Sequence, residues 1–267
     1  MVSPSGRYMK YELRLGKGSS KNVFKALDTS NYKFVAWNEV NLPPDNKEKL
    51  KKIKNEIDLL LKLKSPYTMQ FMGSWADKTT RMLYFITELA EYTLREWINK
   101  YHAKIPIDKI KSYAYNILKG IEYLHSKGVI HRDLKSENVF ITFDDECPRI
   151  FIGDFGISSI KIKTTSTVGT PEFMALEMYE GDEYTNKVDM YAFGCILLEL
   201  FTNNIPYMEC DTPICIYKKV SKGILPLSYH LIKDPELKNI IKRLLSKNPD
   251  DRPSAEELLK EGYFKPC

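Results

Sequence analysis

The sequence predicts an α+β, bilobal protein with a small β-rich N-lobe containing one main helix and a larger, mostly α-helical C-lobe. Three observations carry this. Before residue 90 the apolar residues fall in short β-like runs separated by turn-forming residues, and beyond it they recur at helical spacings of three and four. The 267 residues, 43% hydrophobic and 28% charged, have the composition of a globular chain with a large core and one or two domains. No internal repeat or low-complexity stretch breaks the pattern.

Taken in order, strands are expected over Tyr11–Leu15, Asn22–Leu27, Lys33–Val40, Gln70–Ala76 and Met82–Glu88. Asp28-Thr29-Ser30-Asn31 marks a turn between the second and third. One helix interrupts the strands after Pro43-Pro44-Asp45, with Asp45 as its cap and Ile53, Ile57 and Leu60 as its apolar stripe. Past residue 90, Ile110, Ala114, Ile117, Ile121 and Leu124 mark one face of a helix that should stop at Gly128, where left-handed backbone closes helices. The segments Thr185–Thr202, Pro235–Ser246 and Ser254–Lys260 repeat the helical character.

The net charge of +5 comes from interleaved Lys and Glu, which reads as a solvated surface and not as a nucleic-acid stripe. Cys147, Cys195, Cys210, Cys215 and Cys267 lie apart, with no C-x-x-C pair and no secretory leader, so free thiols and a cytoplasmic setting are expected. The longest apolar run, near Tyr191–Phe201, is too short to span a bilayer.

The chemistry concentrates in His131-Arg132-Asp133-Leu134-Lys135-Ser136-Glu137-Asn138, followed after a strand-like stretch by Asp154-Phe155-Gly156. Order and spacing together resemble the catalytic and metal-binding loops of protein kinases, and the resemblance extends from Gly16 to about Phe264. It implies the bilobal protein-kinase fold as a single domain over 1–267, with the N-lobe over 1–89 and the C-lobe over 90–267. Phosphoryl transfer passes through a loose transition state, so such a site must position groups and neutralise charge. Asp133 then stands as the base that orients the attacking hydroxyl, and Lys135 as a cation beside the transferring phosphate. Asn138 and Asp154 offer the hard oxygens that Mg2+ prefers.

By the same resemblance Glu56 is the pairing glutamate of the N-lobe helix, and Thr87 is the gatekeeper. Glu88, Leu89 and Ala90 form the hinge that reads adenine, and Leu15, Gly16, Gly18, Val23 and Ala36 surround ATP. Gly169-Thr170-Pro171-Glu172-Phe173 resembles the substrate-docking loop. Ala175-Leu176-Glu177 replaces Ala-Pro-Glu and keeps a glutamate able to pair with Arg252. Lys135 and the Thr170 loop are of the serine/threonine type, so proteins carrying Ser or Thr are the expected partners.

One lysine is out of place. Kinases carry Val-Ala-Ile-Lys on the third strand, whereas here Val35-Ala36-Trp37-Asn38 ends in an uncharged amide. The glycine-rich loop is altered too: Lys21 stands where its third glycine belongs. If the hairpin turns about Thr29 and Ser30, Lys21 faces Asn38 and Val23 faces Ala36, and Lys21 delivers its ammonium from the neighbouring strand. This relocation marks the with-no-lysine (WNK) group, which Gly169–Met174 and Asp189–Gly194 also resemble. WNK kinases sense chloride through a leucine that replaces the Phe of Asp-Phe-Gly, and here Phe155 departs from that pattern.

The segment after Asp154 contains Thr164, Thr165, Ser166 and Thr167, and its likeness to the family implies ordering by phosphorylation, at Ser166 first or Thr167 second, with Arg132 meeting the added charge. Two functions stay open: an active kinase using ATP and Mg2+, or a kinase-shaped nucleotide-binding scaffold disabled by Asn38. The chain is either a domain cut from something longer or a minimal kinase.

Overall fold

The computed structural model describes every residue except 18–20, 43–46, 78, 145–146, 155–169, 182–183 and 267, together with all side chains of its elements but those at 47–50, 52, 56, 144 and 147. The described residues fall into two compact units, one over Met1–Ala90 and one that begins at Glu91.

In the first unit β1 (Tyr8–Lys17), β2 (Lys21–Asp28), β3 (Lys33–Asn41), β4 (Phe71–Asp77) and β5 (Met82–Glu88) form an antiparallel sheet in the order β1-β2-β3-β5-β4. Helix α1 (Lys47–Leu60) buries the expected Ile53, Ile57 and Leu60. Alternation along β3 sends Val35 and Trp37 to one face and Ala36, Asn38 and Val40 to the other. The first face is an aromatic core in which Trp37 meets Trp75 edge-on at 4.7 Å and Tyr84 at 5.7 Å. Tyr8 joins that core, which accounts for the start of β1 ahead of the expected Tyr11.

The β2–β3 register differs from expectation. Lys21 pairs with Val40, Val23 with Asn38 and Lys25 with Ala36, a shift of two residues from the predicted pairing. The cause is the turn, which spans Thr29–Tyr32 between the closing pair Asp28–Lys33 and not two residues alone. Asp28 organises it: the buried carboxylate accepts the Ser30 N–H at 3.0 Å and the Ser30 hydroxyl at 2.7 Å. The Tyr32 N–H closes on the Asp28 carbonyl at 2.9 Å, with Tyr32 itself left-handed at φ 58°. Arg7 completes the cage, donating Nε at 2.9 Å and Nη2 at 2.6 Å.

The second unit contains β6 (Tyr92–Thr93), α2 (Leu94–Tyr101), α3 (Ile107–Ser126), β7 (Val139–Asp144), β8 (Cys147–Ile152), α4 (Leu176–Glu180), α5 (Lys187–Thr202), α6 (Pro213–Ser221), α7 (Pro235–Leu244) and α8 (Ala255–Glu261). Helix α3 buries its predicted stripe and stops where Gly128, at φ +70°, donates its N–H to the His125 carbonyl at 3.0 Å. Helix α5 is buried on nearly every side, as a helix apolar all round must be. The hairpin β7–β8 pairs Val139 with Ile152, and the Gly153 N–H reaches the Asn138 carbonyl at 2.8 Å. The hairpin thereby returns the chain from Asn138 to the residue before Asp154. Arg252, fully buried, grips Glu177 with its two terminal guanidinium nitrogens at 2.6 and 3.0 Å, as the sequence predicts. Leu176 opens α4 at its first position, where the proline usual in kinases also fits, so the exchange sacrifices stiffness only.

Arg7 beside Asp28 holds that carboxyl well below the ordinary carboxylate range, although the partner's own side chain is 44% exposed. A depressed carboxyl contributes stability that is present above its unfolded pKa and is lost as pH falls through the folded value. Arg7→Ala should destabilise the chain by about 2 kcal/mol at neutral pH, discounted for exposure from a fully buried pair. It should also flatten the acid limb of the melting temperature against pH. An unchanged acid limb would show that the pair does not hold the turn.

Candidate active site

In the first unit the observed register still gathers the expected side chains on one face: Lys21 and Val23 of β2, Ala36 and Asn38 of β3, and Thr87 of β5, paired with Ala36. A shift of two residues preserves the face because the side-chain period is two. Lys21 now stands diagonal to Asn38, across about 7–8 Å between backbones, within the span of a lysine stem. Asn38 is 3% exposed, and its amide nitrogen donates to the carbonyls of Ala36 and Phe85 at 3.3 and 3.4 Å and to the Thr87 hydroxyl at 3.3 Å. The amide is thus absorbed into the sheet and brings no charge to this face.

Gly16 pairs with Val23 across β1–β2, and Leu15 is exposed. Glu88 ends the β5 ladder, with its carboxylate accepting the Gln70 N–H at 2.7 Å; Leu89 and Ala90 follow half-buried beyond the last pair. Glu56 lies on α1, but its side chain, like Gly18, Phe155, Ser166 and Thr167, is outside the described residues.

In the second unit four expected residues converge. Lys135 donates to the Thr170 hydroxyl at 2.6 Å and lies 3.7 Å from the Asp133 carboxylate. Thr170 stands 3.5 Å from the same carboxylate oxygen, a long and weak contact. Asn138 donates its amide nitrogen to the Asp133 carbonyl at 2.6 Å, which leaves its side-chain oxygen as the group to meet a cation. Asp154, half-buried and left-handed at φ 55°, follows the Gly153 bond to Asn138. Among the described residues no group of three or more His, Cys, Asp or Glu could hold a metal. Two hard oxygens suit Mg2+, which fills its other positions with water and phosphate.

The loop is held by a residue to which sequence reasoning gave no role. Asp189, in the first turn of α5, accepts the backbone N–H groups of His131 at 2.9 Å and Arg132 at 3.0 Å, and His125 Nε2 lies 2.9 Å away. These bonds steady Arg132 at φ 69°, a left-handed conformation that non-glycine residues seldom adopt. The His131 ring spans the loop: its Nδ1 accepts the Asp133 N–H at 3.3 Å, so Nε2 carries the proton given to the Gly153 carbonyl at 2.8 Å. The available signal was an acid opening the apolar run Met190-Tyr191-Ala192-Phe193, since a carboxylate buried with such a run requires donors.

Residues 9–264 match the family model described as protein kinase domain, and the chain belongs to that family. Protein kinases generally use ATP and Mg2+. Among curated proteins the chain is similar to serine/threonine-protein kinase WNK3 of Mus musculus, 38% identical over 98% of this chain, and to serine/threonine-protein kinase Wnk of Drosophila melanogaster, 39% identical over 98%. It is also 38% identical, over 98% of its length, to serine/threonine-protein kinase WNK2 of Homo sapiens. The chain spans 15%, 11% and 12% of the lengths of these relatives, respectively. No helix among the described residues is long and apolar enough to cross a membrane.

Asp189→Ala would orphan two loop amides and the His125 ring. Urea unfolding should show a loss of about 3 kcal/mol, and a midpoint equal to wild type would exclude Asp189 as the anchor.

Proposed function

We propose that this chain is the catalytic domain of a cytoplasmic serine/threonine protein kinase, its two compact units acting as the N-lobe and C-lobe of one domain and its phosphate-gripping ammonium supplied by Lys21. The observation that carries this reading is the Asp133, Lys135, Asn138 and Thr170 constellation, closed by the 2.6 Å bond from Lys135 to Thr170. A carboxylate, an ammonium and a hydroxyl at these separations are the groups needed to orient a Ser or Thr hydroxyl, take up its proton and screen the moving phosphoryl.

In the first unit, Val23 and Ala36 cover adenine, Thr87 bounds its pocket, and backbone groups of Glu88, Leu89 and Ala90 read its edge. Leu15, Gly16 and Gly18 bring β1 and the loop after it over the nucleotide. Lys21 neutralises the α and β phosphates, braced by Glu56, while Asn38 serves the sheet. In the second unit, Asn138 and Asp154 would hold Mg2+, whose charge, when it is bound, neutralises the phosphate oxygens. Asp133 orients the acceptor hydroxyl and takes its proton; Lys135 and Thr170 keep that carboxylate in place. Phosphorylation at Ser166, or at Thr167, adds the charge that Arg132 would meet.

The test is γ-phosphate transfer from Mg-ATP to serine, threonine and tyrosine versions of one generic peptide. Transfer to Ser or Thr and not to Tyr is expected, with Asp133→Asn lowering kcat by 10²-fold or more, roughly, and Asp154→Ala abolishing it. A wild type that binds nucleotide yet stays silent, even when phosphorylated at Ser166 and Thr167, would favour the scaffold reading, with Asn38 as its simplest cause.

A further inference from the structure

Outside the site described, the second unit places two of the chain's cysteines against each other. Cys210, in the turn before α6, and Cys215, in the first turn of that helix, have sulfurs 2.8 Å apart. Both are half-buried thiols. Their backbones are pinned independently. The Cys210 N–H donates to the Tyr207 carbonyl at 2.9 Å, where Tyr207 holds φ 59°, and the Cys215 N–H donates to the hydroxyl of the helix cap Thr212 at 3.2 Å. Lys219, on α6, adds a brace from the other side through a 2.6 Å bond to Glu209, the residue before Cys210. The sulfurs need close by only about 0.8 Å to reach bonding distance.

We propose that Cys210 and Cys215 are a redox modification site, forming a reversible intramolecular disulfide on oxidation by hydrogen peroxide. The Cys215 thiolate attacks one peroxide oxygen, the O–O bond breaks, and the departing hydroxide takes a proton and leaves as water. Cys215 is then a sulfenic acid. The Cys210 sulfur attacks the Cys215 sulfur, the S–S bond forms as the S–O bond breaks, and the second hydroxide leaves with the Cys210 proton as water. Two thiols thus lose two electrons and two protons, and one peroxide becomes two waters.

Cys215 has the first step because burial, together with the Cys210–Cys215 contact, pushes the Cys210 thiol up to about 11. A thiol so rarely ionised is a poor first nucleophile but a well-placed resolving partner. The Lys219 ammonium opposes that rise at Cys210 without cancelling it. Cys195 provides the internal contrast: it is fully buried in α5, and burial raises its thiol further still. The pair is also well connected. Helix α6 packs on α4 and on the Pro171–Phe173 segment, Tyr217 of α6 lies 5.6 Å from the Tyr179 ring, and Tyr179 donates to the Pro171 carbonyl at 2.6 Å.

The experiment is hydrogen peroxide treatment of the reduced chain, denaturation, alkylation of the remaining thiols and mass analysis of the tryptic peptide 188–218, which holds Cys195, Cys210 and Cys215. The oxidised peptide should lose two hydrogens and take up alkyl groups at Cys195 alone, with dithiothreitol restoring alkylation at Cys210 and Cys215. In Cys210→Ser, Cys215 should lose this reversible protection and run on to sulfinic acid. Alkylation of both cysteines after peroxide would overturn the proposal, as would wild-type Cys215 over-oxidised beside an intact Cys210 thiol.

Discussion

The buried Asp28 carboxylate sets the geometry on which the face of the sheet carrying Lys21 and Asn38 depends. By accepting from Ser30 and Arg7 it fixes a turn over Thr29–Tyr32, and that turn fixes which residues of β2 and β3 stand opposite each other. A slip of one residue would send Lys21 to the opposite face from Asn38 and turn Phe24 and Ala26 out of the aromatic core. The penalty for exposing those side chains makes the register hard to change, so Lys21 has a fixed address. It lies diagonally across from Asn38, an amide whose hydrogens bond inside the sheet.

A comparable constraint shapes the second unit. Arg132 and Asp154 both hold left-handed backbone, which costs about 1–3 kcal/mol at each non-glycine position and persists only where surrounding bonds impose it. Asp189 imposes it at Arg132 through two backbone amides, and the His131 ring ties the loop to Gly153 beside Asp154. The side chains of Lys135, Thr170 and Asp133 thus rest on a loop held by buried groups, and they meet at partly solvated positions.

Much of this was legible in the sequence because it is local. The stripes of α1 and α3, the stop at Gly128 and the strands of the sheet follow from periodicity and turn residues. The kinase motifs placed Asp133, Lys135, Asn138 and Asp154 by order and spacing. What escaped depends on loop length or on contacts distant in the chain. Asp28-Thr29-Ser30-Asn31 announces a turn, yet a two-residue and a four-residue loop look alike until Tyr32 is seen to adopt positive φ. Asp189 met His125, His131 and Arg132 only through the packing of α5. Cys210 and Cys215 lack the C-x-x-C spacing that flags a reactive pair, and the turn at Tyr207 brings them together.

The most direct measurement compares the initial rate of γ-phosphate transfer from Mg-ATP by wild type and Lys21→Met, with melting temperatures checked to show that both are folded. Removing the ammonium should lower the rate by roughly 10²-fold or more, the scale lost with one preorganised charge or donor at a transition state. A Lys21→Met enzyme that turns over as fast as wild type would contradict the assignment of the phosphate-gripping charge to β2.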